Sequence, residues 1–190
     1  MPFKTAATSV VGLTFTILAA LHGASANADA AASKEVRRGE YLAGYGGCGD
    51  CHTPKLMTPD GPVPDKSRLL SGYPANAQLP PVPADVVGPD PKKWGALTNG
   101  DLTAWVGPWG ISFAANLTPD PQTGMGAWTS DVFIKTMRTG KHLGTGRALL
   151  PPMPWFDMAV LTDQDLKAVF AYLRSLKPIQ NKVPQPLPPK

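Results

Sequence analysis

Ten of the 38 residues from Pro54 to Pro91 are proline. A pyrrolidine ring fixes φ and removes the backbone donor, so this stretch is expected to form neither a helix nor a central strand. The core must therefore be built from segments on either side of it. With 22 prolines and 19 glycines in 190 residues, the chain is rich in stiff and tight connections but stays below the composition of low-complexity chains. A hydrophobic content of 43% against 17% charged residues excludes a disordered solvating tail. No heptad run or Gly-x-y period is present, which excludes fibrous classes.

The first residues read as an export signal. Lys4 is the only charge before an apolar stretch from Ala6 to Leu21, followed by the small-residue triplets Ala24-Ser25-Ala26 and Ala26-Asn27-Ala28. This is the pattern of a secretory signal peptide over residues 1–26, with cleavage after residue 26 or 28. The apolar core is shorter than the roughly 20 residues a spanning helix needs and is broken by Thr14 and Thr16. The mature protein is expected to be periplasmic, with no transmembrane anchor. The formal charge of +4 is small and its basic residues are scattered, which reads as a solvated surface and not as a nucleic-acid footprint.

Along the mature chain the pattern predicts helices near both ends. Residues 33–45 read as a helix with Ser33 as N-cap and an apolar side of Val36, Tyr41, Leu42 and Tyr45. Thr129 to Thr139 reads as a second, capped by Thr129 and ended by Gly140. The clearest is the last: Leu166, Val169, Phe170 and Leu173 follow the i, i+3, i+4, i+7 rule, Thr162 and Asp165 form a variant capping box, and Pro178 stops the helix. Asn99-Gly100 gives a weak hairpin signal. Residues 179–190 read as an extended, Pro-rich tail.

The chemistry lies in Cys48-Gly49-Asp50-Cys51-His52, which holds the chain's two cysteines. Thiols at i and i+3 on one helical turn point to the same side, spaced to bond the two vinyl groups of a haem. The next residue then carries an imidazole to the iron. This predicts one heme c, bound covalently through Cys48 and Cys51, with His52 as an axial iron ligand. A thiol–disulfide pair shares the Cys-x-x-Cys spacing but expects a βαβ context. A zinc site needs four ligands, and beyond the motif only His142 remains in the mature chain.

For the opposite axial position the candidates are Met57, Met125, Met137, Met153 and Met158. Met137 falls on the apolar side of its own helix, and Met57 follows His52 too closely to cross to the other haem face. Met125, between Gly124 and Gly126, is expected to sit on loosely held backbone. Met153 stands in Pro151-Pro152-Met153-Pro154, where a stiff backbone would hold a thioether at little further entropy cost. Met153 is therefore the first choice and Met125 the second, with core filling as the ordinary alternative for either.

Several segments together resemble the class I c-type cytochromes: Gly39-Glu40-Tyr41-Leu42, the Cys48–His52 motif, Met153-Pro154, and Leu161-Thr162-Asp163 with Ala171-Tyr172-Leu173. More narrowly, Asn116-Leu117-Thr118-Pro119-Asp120 with Gly124-Met125-Gly126-Ala127-Trp128 is similar to a segment of the cytochrome subunits of bacterial periplasmic dehydrogenases. The likeness covers roughly residues 35–53 and 114–178. It implies an all-α cytochrome c fold, in which the N- and C-terminal helices cross and Gly39 lets them approach near Tyr172; many such subunits carry several haem motifs, and this chain has one. It also implies His52 and Met153 as ligands.

The cytochrome domain is then 27–178, with a long Pro/Trp-rich loop insertion at about 54–112. Trp94, Trp105 and Trp109 argue that this insertion is ordered by burial, wrapping one side of the haem and shaping a docking surface. Trp109, Trp128 and Arg147 are candidates to border the haem. With both axial positions filled, the expected function is single-electron transfer between a dehydrogenase donor and a cytochrome or oxidase acceptor, not catalysis. The alternatives are a haem enzyme or gas sensor with a labile or absent Met ligand, a thiol–disulfide protein, and a subunit that delivers electrons only inside a fixed dehydrogenase complex.

Overall fold

The computed structural model describes residue 30, residues 32–83, 85, 87–88 and 90–189. The signal peptide expected over 1–26 lies outside the described residues. The chain divides into units 1–35 and 36–190; the first is described only where helix α1 begins, and every other described element belongs to the second. Helix α1 covers residues 32–45. It has already started at Ser33, so Ser33 is not its cap; the Ser33 hydroxyl donates to the Ala30 carbonyl instead. The buried face of α1 is Gly39, Leu42 and Ala43. Tyr41 and Tyr45, expected on that face, are exposed and stack on one another at 6.4 Å.

Gly46 and Gly47, the latter at φ 66°, turn the chain into the short helix α2 (Cys48–His52). Helices α3 (Ser130–Thr139), α4 (Trp155–Met158) and α5 (Asp163–Ser175) follow among the described residues, with single 3₁₀ turns at Lys66–Arg68, inside the proline-rich stretch expected to hold no helix, and at His142–Gly144. Thr129 caps α3 by accepting from the Val132 amide, and Gly140 ends it at φ 63°. Thr162 caps α5 by accepting from the Asp165 amide. The Asp165 carboxylate in turn accepts from the Thr162 hydroxyl and from Arg38 of α1 at 2.9 Å. All four residues of the α5 stripe are buried, in one cluster with Leu42, Leu70, Met125, Phe133 and Met137. Helices α1 and α5 meet at Gly39, where a Cβ would overlap the Ala168 carbonyl and stand 2.9 Å from the Tyr172 Cβ.

The expectation of an all-α fold is wrong. Among the described residues, five strands in two antiparallel sheets stand between α2 and α3: β1 (Lys55–Thr58) with β2 (Gly61–Pro64), and β3 (Leu97–Thr98), β4 (Ala104–Gly107) and β5 (Gly110–Phe113) in that order. Proline excludes a central strand but not a two-stranded ribbon, where every strand is an edge. Pro62 and Pro64 sit on β2 in this way. The Asn99-Gly100 signal does mark a connection, though one of five residues. The Asn99 side-chain oxygen accepts from the Thr103 and Ala104 amides, a local bond that turns the chain back on itself. Trp105 and Trp109 are half-buried as expected, but Trp94 is 67% exposed and contributes little burial.

The tail is extended and tied down. Leu187 pairs with Ile111 of β5 through two backbone hydrogen bonds of 2.8 and 2.9 Å. Asn181 donates to the Ser71 and Tyr73 carbonyls and accepts from the Ala75 amide. Asn116, itself buried, donates to the Ile179 carbonyl. Replacing Asn181 with alanine strips three hydrogen bonds from the 71–75 segment. It should lower stability by about 2 kcal/mol, a fall of roughly 5 °C in Tm measurable by thermal unfolding.

Candidate functional site

Helix α2 is one turn and a half, so the side chains of Cys48, Cys51 and His52 leave the same short stretch of backbone. Cys48 and Cys51 are both half-buried free thiols, and His52 is 9% exposed. Burial pushes both thiols above the usual cysteine range. That is opposite to the depressed pKa of a thiol–disulfide exchange centre. Among the described residues no group of three or more His, Cys, Asp or Glu is arranged to hold a metal ion.

The His52 ring is oriented by its own protein. Nδ1 lies 2.8 Å from the Ala115 carbonyl; a carbonyl can only accept, so Nδ1 carries the proton and Nε2 keeps its lone pair. Burial also holds the imidazole below its ordinary pKa, in the neutral form that binds a metal. The backbone around it is fixed from both sides. The His52 carbonyl accepts from the Gly72 amide at 2.8 Å, and the Thr53 hydroxyl accepts from the Leu70 amide at 3.0 Å. Gly72, at φ 79°, lies so close to Ala114 and Ala115 that no side chain fits between. Lys55 folds back and donates to the Gly49, Asp50 and Thr53 carbonyls, placing a positive charge where the helix leaves its acceptors unpaired.

Met153 arrives from the other end of the chain. It is half-buried and packs against the same buried cluster as Cys48. The stretch that carries it is held locally by hydrogen bonds from the Met153 amide to the Leu150 carbonyl and from the Trp155 amide to the Met153 carbonyl. At longer range the Ser112 hydroxyl donates to the Pro151 carbonyl at 2.6 Å. Three of the other methionines separate cleanly, but Met158 does not: it too is half-buried against the same cluster, with its Sδ beside Gly46 at the entry to α2. Met57 is 70% exposed, Met137 is buried within α3, and Met125 is 4% exposed inside the core. The backbone around Met125 is not loose, contrary to expectation. The Gly124 and Gly126 amides both donate to the Asp120 carbonyl, and both glycines sit hard against the 118–121 backbone.

Of the residues expected to border a cofactor, Trp128 is half-buried, its ring edge-on to His142 at 5.4 Å. Trp109 packs over Gly107, and Arg147 is exposed. Taken together, two thiols on one turn, a neutral imidazole with a free Nε2 and a half-buried thioether on stiff backbone are a donor set that suits a covalently held haem. Sequence reading missed Thr53, Lys55, Gly72, Ser112 and Ala115. A basic residue just past a helix end could have flagged Lys55; a backbone carbonyl such as that of Ala115 has no sequence signature at all.

No family model matches the chain. Over 156 residues it is 31% identical to the gluconate 2-dehydrogenase cytochrome c subunit of Pantoea cypripedii, an alignment covering 82% of this chain and 26% of that protein. It is 38% identical over 80 residues to the cytochrome c subunit of the quinone alcohol dehydrogenase of Gluconobacter oxydans, covering 40% and 16% respectively. A subunit of the nicotinate dehydrogenase of Pseudomonas putida matches at 36% over 90 residues, 47% of this chain and 8% of the relative. The chain spans about a quarter or less of the length of these relatives.

Proposed function

We propose that this chain, a homologue of the cytochrome c subunits of bacterial dehydrogenases, is an exported monohaem electron carrier. It holds one haem c through Cys48 and Cys51, with His52 and Met153 as the axial ligands. When bound, the haem supplies a one-electron couple. The observation that carries the reading is α2 itself, which sets both thiols and His52 on one turn and commits His52 Nδ1 to Ala115.

Each residue has a task. The two thiols anchor the group so that it cannot dissociate. His52 presents Nε2 while the Ala115 carbonyl keeps the ring from rotating. Met153 offers a soft thioether that favours the reduced state over the oxidised. Residues that fill both axial positions leave no place for a substrate, so the chain carries electrons and does not catalyse. Its partners are a dehydrogenase as donor and a cytochrome or oxidase as acceptor, met in the periplasm. No helix of the described residues is long and apolar enough to cross a membrane.

The test is maturation in a periplasm equipped for haem attachment, followed by a denaturing gel stained for haem peroxidase activity. The wild-type band should stain, and the Cys48→Ala/Cys51→Ala double variant should lose the stain while the polypeptide persists. A wild-type polypeptide that carries no covalent haem under those conditions overturns the reading.

A further inference from the structure

The hairpin of β4 and β5 touches both predicted axial arms within four residues. Ala115, just past β5, accepts from His52 Nδ1. Ser112, on β5, donates to the carbonyl of Pro151. Three of the four residues Pro151 to Pro154 are prolines and have no amide hydrogen, so this stretch fastens to the rest of the protein through its carbonyls. We infer that Ser112 is a positioning residue for the Met153 arm, its hydroxyl clamping the Pro151 carbonyl so that the thioether is held in place. The inference rests on the reading that Met153 binds iron.

Three features favour a clamp over an incidental contact. Ser112 is 7% exposed, so its hydroxyl has exchanged water for this partner, and a buried donor left unpaired is costly. The Trp109 indole N–H donates to the same hydroxyl oxygen at 3.3 Å, which leaves the Ser112 proton to the carbonyl and polarises the bond. The strand that carries Ser112 is itself fixed on both edges, by Trp105 of β4 opposite Ser112 and by the neighbouring Ile111–Leu187 pair. The clamp therefore hangs from a rigid support, and the same short run of chain sets the position of both arms.

Ferric spectra and carbon monoxide binding of the haem-loaded protein test this, using Ser112→Ala, Ser112→Thr, Trp109→Phe and Met153→Ala. Met153→Ala should abolish the long-wavelength sulfur-to-iron charge-transfer band. Ser112→Ala should weaken that band and speed carbon monoxide binding to the ferrous protein about tenfold, as a loosened thioether leaves the iron more often; that factor corresponds to about 1.4 kcal/mol. Trp109→Phe should move both readouts in the same direction by less, and Ser112→Thr, which keeps a hydroxyl, should restore wild-type behaviour. A Ser112→Ala protein that melts earlier yet keeps the band and the binding rate makes Ser112 merely structural and overturns the inference, while Met153 stands as the ligand. A Met153→Ala protein that keeps the band removes the ligand reading and the clamp with it.

Discussion

Replacing Met153 with alanine is expected to open one axial position and change the redox behaviour of the protein strongly. The ferrous form should bind carbon monoxide at once, where the wild type resists it. The midpoint potential should fall by on the order of 0.1 V or more, within the roughly 0.8 V that axial ligation commands. The sign follows from the ligand: a thioether stabilises ferrous iron, and its loss favours the ferric state. Met125→Leu is the matching control. Met125 lies in the core with Phe133, Met137 and Leu166, so a change of similar volume should cost under about 1.5 kcal/mol and leave the potential where it was. Protein-film voltammetry of the two variants decides the matter. If the Met125 variant shifts and the Met153 variant does not, the two have been assigned the wrong way round.

The second large effect concerns α1, where two glycines five residues apart should respond with opposite signs. At Gly39 an added Cβ would overlap the Ala168 carbonyl of α5, a backbone atom that cannot swing aside. Gly39→Ala must push the helices apart and open the cluster around Leu42 and Leu166. We expect a loss of about 3 kcal/mol and a fall in Tm of roughly 10 °C. At Gly44 a Cβ meets nothing within 4 Å. There alanine only removes backbone freedom from the unfolded chain, and should gain about 0.5–1 kcal/mol. Calorimetry of the two variants, side by side, gives the answer; a Gly39→Ala protein as stable as the wild type would mean that the helices do not cross at this point.

The contrast between these glycines also marks what could be read from the sequence. The α5 stripe, the caps at Thr129 and Thr162 and the stop at Gly140 are local signals that the fold keeps because the atoms concerned are already neighbours; the Ser33 cap, equally local, failed because the helix begins before it. The Cys48–His52 spacing is local in the same way. The sheets were not legible, because the proline content that rules out a helix is compatible with ribbons whose pairing depends on distant partners. Tyr41 and Tyr45 misled for a related reason: hydrophobic character marks residues that can be buried, whereas the buried face is set by Gly39, where the Ala168 backbone comes so close that no side chain fits, and by Leu42, which enters the core cluster. Nothing about the serine at 112 or the alanine at 115 distinguishes it from any other until the fold brings Pro151 and His52 alongside.

The C-terminal tail has a consequence for the order in which the molecule assembles. Asn181 reaches partners 106 to 110 residues earlier in the chain, whereas α2 closes within a single turn. A helical turn forms in about a microsecond or less. Loops of such length carry a larger closure entropy, and folds dominated by distant pairings fold orders of magnitude more slowly. The hydrogen bonds within the turn bearing the two thiols therefore need no distant closure, whereas the belt of residues 179–187 fastens over the segments that bracket His52 only once such a loop has closed. The spacing of the two sulfurs is thus set within one short helix and not by the belt.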